Sequence, residues 1–273
     1  MNILERAGVA IRHAPALERA DWLWDRVRPA YDRMLETVAR SRGLERVING
    51  TDRFRLSARS RGFVAEVYEP AVWGRVTREV RPGDNVAEVG ANIGLYALAF
   101  AGRVGAAGHV VAFEPDPVNA SALEANVSVN GWHDRITVIK AAVGHSSGQV
   151  SFAAARGVES RIDTGHNCGD AITVPMVTLD DALRGRRIDV IKIDVEGFEQ
   201  QVIQGARRVL TEEHRRPRAI LVEVHPYAWA DLGTTTSASF LRLLDEMGYR
   251  VEDMICTAVS GISEYGHVIA LRK

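Results

Sequence analysis

Residues 84–100 read DNVAEVGANIGLYALAF, from Asp84 to Phe100. A short apolar strand runs into Glu88-Val89-Gly90-Ala91-Asn92-Ile93-Gly94, and an apolar, helix-compatible segment follows at once. Gly90 and Gly94 let the backbone turn tightly and come close to a ligand, which a Cβ would prevent. The N–H groups opening the next helix then face that ligand. A dinucleotide turn would show G-x-G-x-x-G, because its pyrophosphate rests against the helix end. Here the spacing is Glu-x-Gly-x-Asn-x-Gly, and an acid at the strand end sits badly beside a diphosphate. A nucleotide-linked dehydrogenase is correspondingly disfavoured.

A carboxylate at Glu88 suits a cationic ligand carrying an amino acid, and S-adenosylmethionine is such a ligand. The next strand, Val110–Phe113, ends in Glu114-Pro115-Asp116-Pro117. An acid at this second strand end can accept both hydroxyls of a ribose. That supports a nucleoside without choosing among nucleosides, and a helix cap is the competing role for Glu114.

Beyond this pair, strand-like runs at Ile136–Lys140, Val190–Ile193 and Ala219–Val224 alternate with helix-compatible segments. Such alternation predicts a parallel sheet with helices on both faces. Residues 1–45 read as a helical extension, with Tyr31, Met34, Leu35 and Val38 at helical spacing and Gly43 as a stop. Pro29 should split that pattern, and Trp22, Trp24 and Tyr31 are expected in the core. Residues 46–68 predict a hairpin, from Phe54–Ser57 and Phe63–Tyr68 around Arg61-Gly62. Residues 145–178, with four glycines and short β-like runs, form an insertion in the 46–273 domain. Its Arg161, Asp163, His166 and Asn167 are candidates to touch substrate, with a solvated loop as the plainer reading.

The chain has 273 residues, 46% hydrophobic and 25% charged, with 34 basic against 35 acidic residues and a formal net charge of −1. That balance leaves no electrostatic footprint for nucleic acid, which argues against duplex binding. The two cysteines, Cys168 and Cys256, lack zinc or disulfide spacing and fit a reducing compartment. No apolar run reaches the ~18 residues of a membrane span. Glu5 and Arg6 interrupt the apolar start as a signal peptide. A cytoplasmic, soluble protein without membrane contact is expected. Oligomeric state is open, with a homodimer through the N-terminal helices as one arrangement.

Ligands of an open parallel sheet lie at the carboxyl ends of its strands. Two such ends here are polar: Lys192-Ile193-Asp194-Val195-Glu196-Gly197 and Glu223-Val224-His225-Pro226. Alternation puts Asp194 with Glu196 and Glu223 with His225, and adjacent strands would unite the four. Lys192 lies on the side of Asp194, as a charge partner. His225 is the candidate base, oriented by Glu223 or Glu196. The same set carries ligands for Mg²⁺ or Mn²⁺. Direct proton removal by a side chain is the expectation, and no metal is assigned.

EVGANIG, FEPDP, Ala141–Gly144, VTLDD (Val177–Asp181), KIDVEGFE (Lys192–Glu199) and LVEVHP (Leu221–Pro226) occur in this order. The ordered set resembles the FkbM family of class I methyltransferases across residues 68–226. The resemblance implies a Rossmann-like α/β fold with a seven-stranded, mostly parallel sheet and a reversed final hairpin. It also implies S-adenosyl-L-methionine as donor. Gly90, Ala91, Asn92 and Gly94 would lie along the cofactor, Glu114 with Pro115 and Asp116 at its ribose, Ala142 by the adenine, and Asp194 nearby. Glu88 departs from the Asp that often opens the family's first motif. A small-molecule hydroxyl is the implied acceptor, such as a sugar or secondary metabolite. Nucleic-acid or peptide N-methylation and a non-catalytic binding module are the alternatives. The absence of an (Asp/Asn)-Pro-Pro-(Tyr/Phe) run weighs against a flipped base.

Overall fold

The computed structural model describes residues 42–273 except 59, 61–64, 154–160, 163–170 and 234, together with scattered helical positions between 22 and 39. Seven strands form the main sheet: β3 (Asn85–Val89), β4 (His109–Phe113), β5 (Ile136–Ile139), β10 (Val190–Ile193), β11 (Ala219–Val224), β12 (Tyr249–Asp253) and β13 (Gly266–Arg272). Their order is β12-β13-β11-β10-β3-β4-β5. β5, β4, β3, β10 and β11 pair in parallel, whereas β13 runs antiparallel to both β11 and β12. This is the Rossmann-like sheet with a reversed final hairpin. No helix among the described residues is long and apolar enough to cross a membrane.

The parallel strands are apolar throughout because both faces are covered. Val86, Val190, Ala219 and Ile269 feed one core; Ala87, Ile191, Ile220 and Ala270 feed the other. On the first face the pattern breaks near the carboxyl edge, where Glu88, Lys192, Glu223 and His267 replace apolar residues. Helix α1 (Pro70–Arg78) and helix α2 (Leu95–Val104) cover that face. Eight of ten α2 residues are buried, so α2 is apolar all round, as a helix enclosed on every side should be.

The hairpin differs from the expected one. Its strands are β1 (Leu44–Ile48) and β2 (Asp52–Leu56). Asn49 and Gly50, at φ 51° and 71°, make the tight connection that two left-handed residues permit. Glu66–Tyr68 are irregular rather than a strand, and 61–64 lie outside the described residues. Asn49 holds Tyr68 instead, donating from Nδ2 to its carbonyl at 2.7 Å and accepting its N–H at 3.0 Å. The hairpin is tied to α3 (Pro117–Asn130): Asn130 brackets the Arg55 backbone, and Asn126 accepts from Ser57 while donating to the Ile93 carbonyl. Asp52 takes two bonds from Arg103 and one from the Trp73 indole. Burial opposes its ionised form, but these donors hold its carboxyl below the usual range.

Residues 142–177 build a second sheet, β6 (Ala142–Val143), β7 (Gly148–Ala153), β8 (Arg161–Ile162) and β9 (Ala171–Val177), ordered β6-β9-β7-β8. Asp163, His166, Asn167 and Cys168 lie outside the described residues, and of Arg161 only the backbone is described. Trp22 is 66% exposed, not core as expected, while Trp24 and Tyr31 are outside the described set.

Candidate active site

The donor side begins where β3 ends. Gly90 has φ +81°, and a Cβ there would stand 1.7 Å from the backbone oxygen of Asp194. The glycine is thus demanded by the neighbouring strand end, a second reason for it beside the close ligand approach expected there. Gly94, at φ +89°, leaves room for Leu123 in α3, which its Cβ would meet at 2.1 Å. Asn92 is left-handed at φ 51° and accepts the Ile93 N–H at 2.7 Å through its own side chain. Ala91 is buried in the first core.

Glu114, at the end of β4, receives the Asn92 N–H at 2.6 Å and the Asp116 N–H at 2.9 Å, one on each oxygen. Burial pushes its carboxyl up to about 7 against those two bonds. It is not a helix cap. That role belongs to Asp116, whose carboxylate accepts from Val118 and Asn119 at the start of α3. Asp116 thus caps the helix through Oδ1, and Pro115 joins the two acids. Ala142 starts β6 with its methyl group packed with Phe152 and Val174, so the side chain faces a small core rather than a cleft.

Glu88 sits directly across from Lys192 in register. Burial raises its carboxyl to about 8 despite the lysine, and its Oε2 has no hydrogen-bond partner among the described residues. Lys192 is buried, donates to Asp194 at 3.1 Å and lies 4.6 Å over the Tyr96 ring. Burial favours its neutral form, yet Asp194 and Glu88 outweigh that and keep it charged. Burial raises the Asp194 carboxyl in turn, partly offset by Lys192.

The chemical side unites the four expected residues. His225 Nε2 lies 3.3 Å from Glu196 Oε2 and 3.8 Å from Glu223 Oε1. Neither acid orients the imidazole. Its Nδ1 donates instead to Glu199 Oε1 at 2.6 Å, at the first turn of α4 (Glu199–Gln204). Glu199 is 0% exposed and also accepts the Gly197 N–H at 2.9 Å and the Trp229 indole N–H at 2.5 Å. This arrangement turns Nε2 toward Asp194 and Glu196, whose carboxylates favour a proton on it. Burial disfavours imidazolium, but Glu199, Glu196 and Asp194 together raise the His225 pKa above its ordinary value. Glu199 closes the KIDVEGFE run, so it was in view as a motif letter. Its chemistry was hidden because the contact is made across 26 residues.

Glu223 faces elsewhere: Tyr265 donates to its Oε1 and His267 lies 3.2 Å from its Oε2. Burial would raise its carboxyl, yet His267 and Lys192 bring it down to about 2. It is a fixed negative charge and a tether for Tyr265. Glu196 has a left-handed backbone at φ 53° and accepts the Tyr227 hydroxyl at 3.1 Å. Asp194, Glu196 and His225 place one ligand atom each within 4.8 Å of one another.

The model of the methyltransferase FkbM domain matches residues 88–251. A 31-O-demethyl-FK506 methyltransferase of Streptomyces tacrolimicus is 32% identical over 192 residues, covering 59% of this chain and 72% of that protein. Among solved structures, a SAM-dependent O-methyltransferase of Thermotoga maritima matches at TM-score 0.45 and 13% identity, over 76% of this chain and 65% of that one. A precorrin-6y C5,15-methyltransferase of Geobacter metallireducens matches at 0.43 and 11%, over 77% and 92%. With the first motif, both acidic strand ends and the KIDVEGFE turn inside the matched stretch, the chain belongs to the FkbM methyltransferase family and takes S-adenosyl-L-methionine as its methyl donor.

Proposed function

We propose that the protein methylates a hydroxyl group on a small molecule, with Glu196 and His225 removing the acceptor's proton. The carrying observation is the Glu199–His225 hydrogen bond, which leaves Nε2 facing two carboxylates at the strand ends. The donor supplies an activated methyl on a sulfonium, so this chain's task is to align the acceptor and accept its proton. His225 is buried at 1% exposure, whereas the Glu196 side chain is partly exposed, at 20%. The proton released as the new C–O bond forms passes to this pair and is held on Nε2, with Glu199 stabilising the imidazolium. Asp194 and Lys192 fix the adjoining strand end.

Glu114 is assigned to the ribose hydroxyls, since each of its oxygens keeps a free lone pair beside its backbone donor. Glu88, whose carboxyl burial raises to about 8, is assigned to the donor's amino-acid end, where the donor's positive charge would favour its ionised form. Glu114→Ala is expected to weaken donor binding by roughly 10–150-fold, the worth of a hydrogen bond to a charged group at about 1.5–3 kcal/mol. Because the Glu114 carboxyl titrates at about 7, donor affinity of the native protein should rise as pH passes upward through that value. Calorimetric titration with S-adenosylhomocysteine at pH 6 and pH 8 checks both expectations.

The convergence of Asp194, Glu196 and His225 favours a second reading, in which a divalent cation lowers the acceptor's pKa. Two of these groups already have partners, Lys192 for Asp194 and Tyr227 for Glu196, and this supports the metal-free reading. Turnover is therefore expected to survive EDTA. Loss on chelation, restored by Mg²⁺ or Mn²⁺ alone, would move the three residues to a ligand role.

A further inference from the structure

Two half-exposed tyrosines flank the buried imidazole. The ring of Tyr227 stands edge-on to His225 at 5.7 Å, and that of Tyr265 lies tilted at 5.4 Å. Tyr227 is 52% exposed and Tyr265 54%. Each is held by its tip: Tyr227 donates to Glu196 and Tyr265 to Glu223. Anchored tips fix both rings beside the imidazole that takes the proton. An aromatic wall that has already lost its rotamer freedom costs little to dock against.

The floor between the walls is acidic. Glu69, Asp194, Glu196 and Glu223 interact with one another across it. The cations among the described residues there are Lys192, buried and bound to Asp194, and the histidines at 225 and 267, each beside a carboxylate. No arginine reaches this site among the described residues, so none of them offers the bidentate grip that phosphate recognition uses. A phosphate drawn in would meet carboxylates at short range.

Resting on the methyl-transfer reading above, we propose that the acceptor is an uncharged hydroxylated ring, its faces clasped by Tyr227 and Tyr265, and that phosphorylated or nucleotide-linked forms are refused. A sugar acceptor would then reach this protein only after a glycosyl transfer has freed it from its nucleotide carrier. Methylation is the later of the two reactions.

The test uses the full chain, isotopically labelled S-adenosylmethionine and an extract of the cells that encode it. After reaction the extract is divided into macromolecules, small molecules retained by an anion exchanger and small molecules not retained. Label in the unretained pool is the expected result. Label in the retained pool overturns the uncharged-acceptor inference while leaving methyl transfer to a small molecule in place. Label in macromolecules alone, or in no pool from protein that still binds donor, overturns the small-molecule reading and this inference with it.

The tyrosines are tested on the labelled acceptor so found. Tyr265→Ala should raise KM about tenfold with little change in kcat or donor affinity, as expected for a lost aromatic contact. Tyr265→Phe keeps the ring and should restore most of the wild-type KM. Equal KM values for the alanine and phenylalanine variants would remove the ring from acceptor recognition.

Discussion

His225→Ala is expected to lower kcat by about 10²–10⁴-fold while S-adenosylhomocysteine binds with nearly native affinity. The imidazole touches Glu199, Glu196 and the two tyrosines, all on the acceptor side, and none of the residues around Glu114. Its loss removes the group on which the proton is held. Glu199→Gln separates orientation from bulk, because the amide keeps the shape and loses the charge. The Glu199 bond and charge raise the His225 pKa, so removing the charge lets that pKa fall. A base works deprotonated, and the wild-type rate should therefore climb with pH along a limb above 6.5, the ordinary histidine value. In Glu199→Gln that limb should move to lower pH, with a reduced plateau because imidazolium is less stabilised. A merely structural Glu199 would lower the amount of folded enzyme and leave the limb in place. Wild-type turnover in a folded His225→Ala protein would take the imidazole out of the chemistry.

Gly90→Ala is expected to damage both halves of the site at once. The added methyl group would overlap the Asp194 carbonyl oxygen at 1.7 Å, and the residue's φ of +81° is a conformation that L side chains rarely adopt. Overpacking costs about 1–3 kcal/mol and a left-handed backbone about 1–2 more. A total near 3 kcal/mol corresponds to a melting point lowered by roughly 6–12 °C in a domain of this size. Calorimetry measures the drop. Since the clash pushes on the strand end carrying Asp194 and Glu196, the surviving folded fraction should also lose turnover beyond its loss of donor affinity. A variant with native melting temperature would mean that the β3 and β10 ends are not pressed together.

The contrast between these two residues marks how much of the site the sequence discloses. Local runs translate directly: the expected strands 190–193 and 219–224 appear with those limits, because apolar β-rich stretches between turn residues have little else to become. Charged letters at strand ends identify Asp194, Glu196, Glu223 and His225 as neighbours, since strand adjacency follows from the fold class. What stays hidden depends on partners distant in sequence. Glu199 opens a helix and looks like an ordinary first-turn acid, yet it meets His225 under a cover supplied by Trp229. Asp116 shares a short acidic run with Glu114, and only the backbone geometry decides which one caps α3. The hairpin lies upstream of the expected one for a local reason: Asn49-Gly50 is a stronger turn signal than Arg61-Gly62.

The position of β13 has a consequence for how the chain comes into being. It lies between β11 and β12, yet of these three it is made last. While the chain grows from its N-terminus, β11 waits with a bare edge, and β12 has no neighbour on that side. An apolar strand with unpaired N–H and C=O groups is a template for pairing with another chain. Synthesis halted after the family-matched stretch ends at residue 251 would leave that edge open for good. Nascent chains stalled between residues 253 and 266 should thus be the species that chaperones hold, and the species that aggregates when they do not.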